Sequence, residues 1–120
     1  MGASKNLRTF IAAATSNSAG STATGTAFDV TTAFGGLITI KITNGGTGPT
    51  VPATAYVYVS GDNSNFKLLT SFTHSSTNSA VGEFSCELPA AAMYVRVDVT
   101  GNTAQAVTCE AFMQELTDIA

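Results

Sequence analysis

Three groups of side chains in this 120-residue sequence are of types that could do chemistry. The stretch "SGDNSN", residues 60 to 65, gathers Ser60, Asp62, Asn63, Ser64 and Asn65 into an oxygen-rich turn of the kind that sometimes holds calcium. It has one carboxylate, however, and lacks the spaced carboxylates and closing bidentate Glu of an EF-hand loop. A plain turn needs no ligand, because Gly, Asp and Asn tolerate left-handed backbone and their side chains bond the local main chain. A turn is therefore the expectation, with Phe66 packing just past it. The single histidine, His74, sits in "SFTHSSTNS" without a nearby acid or a nucleophile arrangement, so it is read as a loop histidine rather than a base.

The third group is Cys86 and Cys109, on separate predicted strands and in phase with their apolar neighbours. Both should point inward, where they could touch. A disulfide also requires close Cβ atoms and an oxidising compartment, so buried reduced thiols are expected. No CxxC pair or histidine-rich cluster occurs, and "NGGTGPT" is turn chemistry because no helix follows it. The sequence thus predicts no catalytic residue, no metal and no cofactor, hence no enzyme.

Composition narrows the partners. The formal charge is -3, and Lys5, Arg8, Lys41, Lys67 and Arg96 are scattered, so no phosphate-tracking stripe for nucleic acid forms. No apolar run approaches the roughly 20 residues of a membrane span. The apolar stretch from Phe10 to Ala14 is shorter than the ~7–15 residues of a signal-peptide core, so no export signal is expected. "MGASKN" places Asn6 where myristoylation wants Ser or Thr. Only 11% of residues are charged, with Ser and Thr supplying much of the polar surface. Hydroxyls pair readily across a contact, whereas buried unpaired charges are costly. Such a surface favours packing against other proteins, or else reflects drift toward Ala, Ser and Thr; composition leaves both open.

The elements that must position these groups follow from a two-residue period that recurs along the chain, with no helical period anywhere. In "FGGLITIKITNGG", Ile38, Ile40 and Ile42 oppose Thr39 and Lys41. In "ATAYVYVS", Val57 and Val59 oppose Tyr56 and Tyr58, marking a strand that is central or at an interface. Phe84, Cys86 and Leu88 share one phase, as do Met93, Val95, Val97 and Val99, and then Val107, Cys109, Ala111 and Met113. Phe112 and Leu116 fall on the opposite side, which implies either a covered outer surface or a phase-shifting bulge. The fold class is all-β: one antiparallel β-sandwich, jelly-roll-like, of about eight strands. Residues 1 to 24 are read as an N-terminal segment with a polar tip, a strand over 7 to 14 and the polar loop "TSNSAGSTATG"; residues 25 to 120 form the sandwich body.

From Ala55 to Leu116 the run "AYVYVSGDNSNFKLLTSF", "GEFSCELPAAAMYVRVDVTGN", "AVTCEAF" resembles two families. One is the discoidin-like carbohydrate-binding sandwich, through Ser60, Asp62 and Phe66 and the triplet Tyr94, Val95 and Arg96. It departs in having no Trp, Ser/Thr-rich loops and a shorter chain. The other is a set of small β-sandwich virion proteins of tailed bacteriophages, of the capsid decoration or cement kind, which share the Ala, Thr and Gly richness. That resemblance implies a homo-oligomeric structural protein of the virion, assembled in the host cytoplasm, whose partners are phage coat or other virion proteins. Lys5, Leu7 and Arg8 are the candidate partner contacts, on an N-terminal stretch that is either an arm or disordered in solution. The alternatives are a tail or fibre component, a carbohydrate-recognition module binding a glycan, and a tail-tube or connector subunit.

Overall fold

The computed structural model describes residues 4–118. Nine strands follow in order: β1 (Ser4–Asn17), β2 (Thr22–Thr24), β3 (Phe28–Asp29), β4 (Gly36–Asn44), β5 (Thr54–Ser60), β6 (Lys67–Thr73), β7 (Val81–Leu88), β8 (Tyr94–Thr100) and β9 (Val107–Asp118). They form two sheets in which all pairings are antiparallel. The first runs β1-β9-β4-β7 and the second β2-β8-β5-β6, with β3 also on β8. Except at the β5–β6 hairpin, the chain from β4 onward crosses between sheets at each connection, giving the interleaved strand order of a jelly roll.

The alternation seen in the sequence makes the core. Ile38, Ile40 and Ile42 of β4 point between the sheets and are fully buried, as are Val57 of β5 and Val95, Val97 and Val99 of β8. β-branched side chains are stiff at χ1 and fit a pleated surface, so one layer from each sheet interlocks. β5 is central, between β8 and β6, as its two substantial faces predicted.

Nine strands replace about eight because one edge strand is broken. β2 and β3 both pair with β8, and Gly25 interrupts them where its N–H donates to Val97 O at 3.0 Å. A Cβ at Gly25 would run into that same carbonyl, so only glycine allows so close an approach. The expected polar loop therefore contains an edge strand: residues 15 to 17 extend β1, and Thr22–Thr24 pair with Thr100, Val99 and Asp98. β1 also begins earlier than the expected strand over 7 to 14, because ladder bonds to β9 need no apolar side chains at Ser4 to Asn6. Residues 1–3 of the expected polar tip lie outside the described residues.

Register also separates the cysteines. Both share the inward phase, but Cys86 pairs with Ile38 and Cys109 with Ile42, on opposite sides of β4. Two strand spacings and four residues of rise put them about 16 Å apart, so they do not touch. Both are free thiols. Burial raises the pKa of each, that of Cys109 to about 11, so both stay protonated and unreactive at neutral pH.

Asn17 and Asn102 tie one end of the sandwich. Asn17 Nδ2 donates to Asn102 Oδ1 at 2.7 Å, and Asn102 Nδ2 donates to Asn17 O at 3.1 Å and Gln105 O at 2.9 Å. An Ile40→Ala substitution empties the centre of the inter-sheet layer and is expected to lower the unfolding free energy by about 2–5 kcal/mol, measured by urea denaturation. A loss well below that range would mean that the two layers are not tightly interlocked.

Candidate functional site

The three groups singled out in the sequence are engaged by the fold itself. Asp62 closes the β5–β6 turn: its Oδ1 accepts from Ser60 Oγ at 2.8 Å, Ser64 N at 3.0 Å and Asn65 N at 2.8 Å, while Oδ2 accepts from Asn65 Nδ2 at 2.8 Å. Asn63 adopts φ 58°, the left-handed conformation such a turn requires. The Asn65 main-chain N–H, first among these donors, holds the Asp62 carboxyl well below the usual carboxylate range. The oxygens of "SGDNSN" thus face donors of their own turn rather than converging on a shared centre.

His74 lies outside any strand, as expected, yet it is buried. Its Nε2 donates to Ala80 O at 3.1 Å, its main-chain N–H donates to Ala53 O at 2.9 Å, and its ring stands edge-on to Phe84. A side chain at Gly82 would collide with the imidazole, so glycine there makes room for it. Among the described residues no three His, Cys, Asp or Glu side chains are grouped to hold a metal ion.

What remains is surface, beginning with the outer face of the first sheet. Successive rows across it read Leu7, Gln114, Leu37 and Glu87, then Thr9, Phe112, Thr39 and Ser85, then Glu110, Lys41 and Glu83. β9 keeps its phase against β4 without a break from Val107 to Glu115, so Phe112 does face outward, and Leu116 continues that phase opposite Lys5; the register shifts fall in the β1–β9 pairing, between Ser4 and Lys5, between Thr9 and Ile11 and between Ile11 and Thr15. Leu7 is 62% exposed and Leu37 46%. At one end of this face an open groove of about 1240 Å³ is lined by Lys5, Phe34, Leu37, Glu87, Pro89 and Leu116.

The candidate contacts Lys5, Leu7 and Arg8 divide. Lys5 and Leu7 lie on this outer face, opposite Leu116 and Gln114. Arg8 turns inward: its Nη1 sits 3.3 Å from both carboxylate oxygens of buried Glu115, and its guanidinium lies 4.3 Å from the Phe28 ring centroid. Arg8 therefore ties β9 to β3 across the sandwich. Leu37 and Phe34 were not picked out from the sequence, although Leu37 stands out of phase with Ile38, a signal of an apolar outer position.

The outer face of the second sheet carries an aromatic ladder. Tyr56 and Tyr58 stack at 6.1 Å, and the Arg96 guanidinium lies 5.2 Å from the Tyr58 ring and 4.6 Å from that of Phe66. Arg96 Nε lies 3.2 Å from Asp98 Oδ1 as an ion pair without hydrogen-bond geometry, and Asp98 Oδ1 accepts from Gly25 N at 3.2 Å. The two resembled motifs thus meet in space, Phe66 after the Asp62 turn covering Arg96 of the Tyr-Val-Arg triplet. Leu68, paired with Tyr58, is 53% exposed.

No protein-family profile and no curated protein sequence matches the chain. Solved structures do. The K1 cleaved adhesin domain of Lys-gingipain from Porphyromonas gingivalis W83 is similar with a TM-score of 0.55 and 17% identity, over 81% of this chain and 63% of that one. The SPBc2 prophage-derived protein YomS is similar with a TM-score of 0.50 and 19% identity, over 93% of this chain and 94% of that one. A chain of the T13 IBDV viral particle reaches a TM-score of 0.62 at 8% identity, over 93% of this chain and 31% of its own length. The chain thus spans less than two thirds of the adhesin domain and nearly all of YomS. At these identities the likeness is one of fold, a β-sandwich common to all three.

A carboxyl whose folded pKa lies below its unfolded value stabilises the fold above the unfolded pKa of about 4, and that contribution fades as pH falls toward the folded value. Asp62→Asn is therefore expected to lower Tm at pH 7, with the gap to the unsubstituted protein closing as pH drops below about 4. Millimolar calcium is expected to leave both melting curves in place in calorimetry. A calcium-dependent rise in Tm that Asp62→Asn removes would reinstate the turn as a cation site.

Proposed function

We propose that this chain is a non-enzymatic structural protein of a tailed-phage particle, a capsid decoration or cement protein that stabilises the head by bridging coat subunits. The observation that carries this reading is that both outer sheet faces bear large apolar side chains. Leu7, Leu37, Phe112 and Leu116 stand on one face, and Tyr56, Tyr58, Tyr94 and Leu68 on the other. A sandwich needs neither set for its own core, and a protein that bridges, alone or through a second copy of itself, needs two contact surfaces. The low charge supports the same reading, since few ionised groups must be desolvated on contact. The whole-length likeness to a prophage-derived protein and the likeness to a chain of a viral particle agree with it at the level of fold.

Attachment would draw about 25 cal/mol from each Å² of apolar surface buried, repeated at every lattice position so that weak contacts sum to firm binding. The residues play no chemical part beyond shape, hydroxyl pairing and exclusion of water. A virion location with assembly in the host cytoplasm follows from this role.

A second reading, recognition of a glycan by a tail, fibre or carbohydrate-binding module, is favoured by Tyr56, Tyr58 and Tyr94 on a single face. Against it, the rings of Tyr56 and Tyr58 stack on each other, and Arg96 lies over that of Tyr58, so these rings do not stand free.

Purified protein mixed with empty shells of its cognate coat protein is expected to bind saturably at a fixed ratio to coat subunits and to raise the temperature at which the shells fall apart. Leu68→Glu, which places a charge beside Tyr58 on the outer face, is expected to weaken binding at least about tenfold without changing the protein's own melting. Absence of shell binding together with signal on a glycan array would replace this reading with the second.

A further inference from the structure

The charges on the outer face of the first sheet are ordered by strand. Across the face in the order β1, β9, β4, β7, the cations Lys5 and Lys41 lie on the first and third strands. The anions Glu110, Glu83 and Glu87 lie on the second and fourth. Between them run the neutral and apolar positions Leu7, Leu37, Phe112 and Thr39.

Such a face is complementary to itself in one orientation. A two-fold axis lying parallel to the strands, between β9 and β4, sets β1 of one copy on β7 of the other and β9 on β4. Each cation-bearing strand then meets an anion-bearing one. Lys41 faces the partner's Glu110, and the reciprocal pair repeats the contact. Lys5 lies one row beyond the partner's Glu87, a distance its long side chain spans. Phe112 comes onto the partner's Thr39 and Leu37 onto the partner's Gln114, so these two apolar side chains occupy the middle of the contact, while Leu7 on the edge strand comes onto the partner's Glu87. A two-fold axis running across the strands at the Phe112 row would instead place Glu83 against the partner's Glu87, twice, with like charges opposed.

We infer that the outer face of the first sheet is a self-association surface, on which two copies of this chain pack about a two-fold axis parallel to the strands. Four strands at about 4.8 Å and some eight residues at about 3.4 Å give roughly 500 Å² of sheet per copy, so about 1,000 Å² across the pair, at the lower bound for a specific interface. Two twisted sheets meeting face to face near -30° make the same kind of contact that joins the sheets within the sandwich. The dimer does not depend on the capsid reading, since a recognition module can pair in the same way.

Sedimentation equilibrium over a range of concentrations tests it. The unsubstituted protein is expected to pass from monomer to dimer, and Lys41→Glu and Glu110→Lys each to weaken dimerisation at least about tenfold at temperatures well below their melting, which the like charges set opposite one another on β9 and β4 lower slightly. An equimolar mixture of the two variants is expected to dimerise again, because in the mixed pair each reversed charge meets the other reversed charge and each native charge meets a native one. Leu37→Asp is expected to abolish the dimer. Unsubstituted protein that stays monomeric to millimolar concentration, variants that dimerise undiminished, or a mixture no more dimeric than its components would each overturn the inference.

Discussion

The interlocked aliphatic layer between the sheets is the constraint on which the rest depends. Ile38, Ile40, Ile42, Val57, Val95, Val97 and Val99 are all excluded from solvent, and each lies two residues from the next on its own strand where it has one. Because the side-chain period of a strand is two, a slip of one residue would turn the whole set outward, so the layer fixes the register of the central strands. It also fixes what stands on the other side. Every position out of phase with the core is committed to an outer face, whatever its chemistry, and on β4, β5 and β9 those positions include Leu37, Tyr56, Tyr58 and Phe112.

The same layer explains why polar groups that resemble sites are not free. Asp62 is held by its own turn, His74 by Ala80 and Phe84, and Asn17 and Asn102 by each other. Arg8 and Glu115 close the end of the core as an ion pair in which Glu115 is nearly inaccessible. Removing Arg8 would strand the Glu115 charge inside the sandwich, so this pair is held in place more firmly than an exposed one.

Much of the architecture was legible because alternation alone assigns faces. The all-β class, the sandwich, the central place of β5 and the inward cysteines all follow from which residues share a phase. Position along a neighbouring strand was not legible, since phase says nothing of register: Cys86 and Cys109 share a face but stand on either side of β4. Edge strands were hidden as well, because β2 and the start of β1 are held by main-chain bonds to β8 and β9 and show no apolar pattern. The outward direction of Phe112 was open between a covered surface and a bulge until the unbroken β4–β9 register decided it. Arg8 looked available for a partner because its inward phase, opposite Met113, depends on a pairing that the sequence does not show.

On the proposed reading, a sandwich with apolar side chains on both outer faces and few charges is covered on both sides. Hydroxyl-radical footprinting of the protein free and bound to shells of its cognate coat protein measures that coverage residue by residue. Side-chain oxidation at Tyr58 and Leu68 is expected to fall sharply on assembly, and that at Leu37 and Phe112 to fall as the free protein passes from monomer to dimer and to stay low in the assembly, while that at exposed loop positions stays constant. Equal oxidation of Tyr58 and Leu68 in the free and assembled states, or of Leu37 and Phe112 in the free monomer and the assembly, would contradict the claim that the outer faces are contact surfaces.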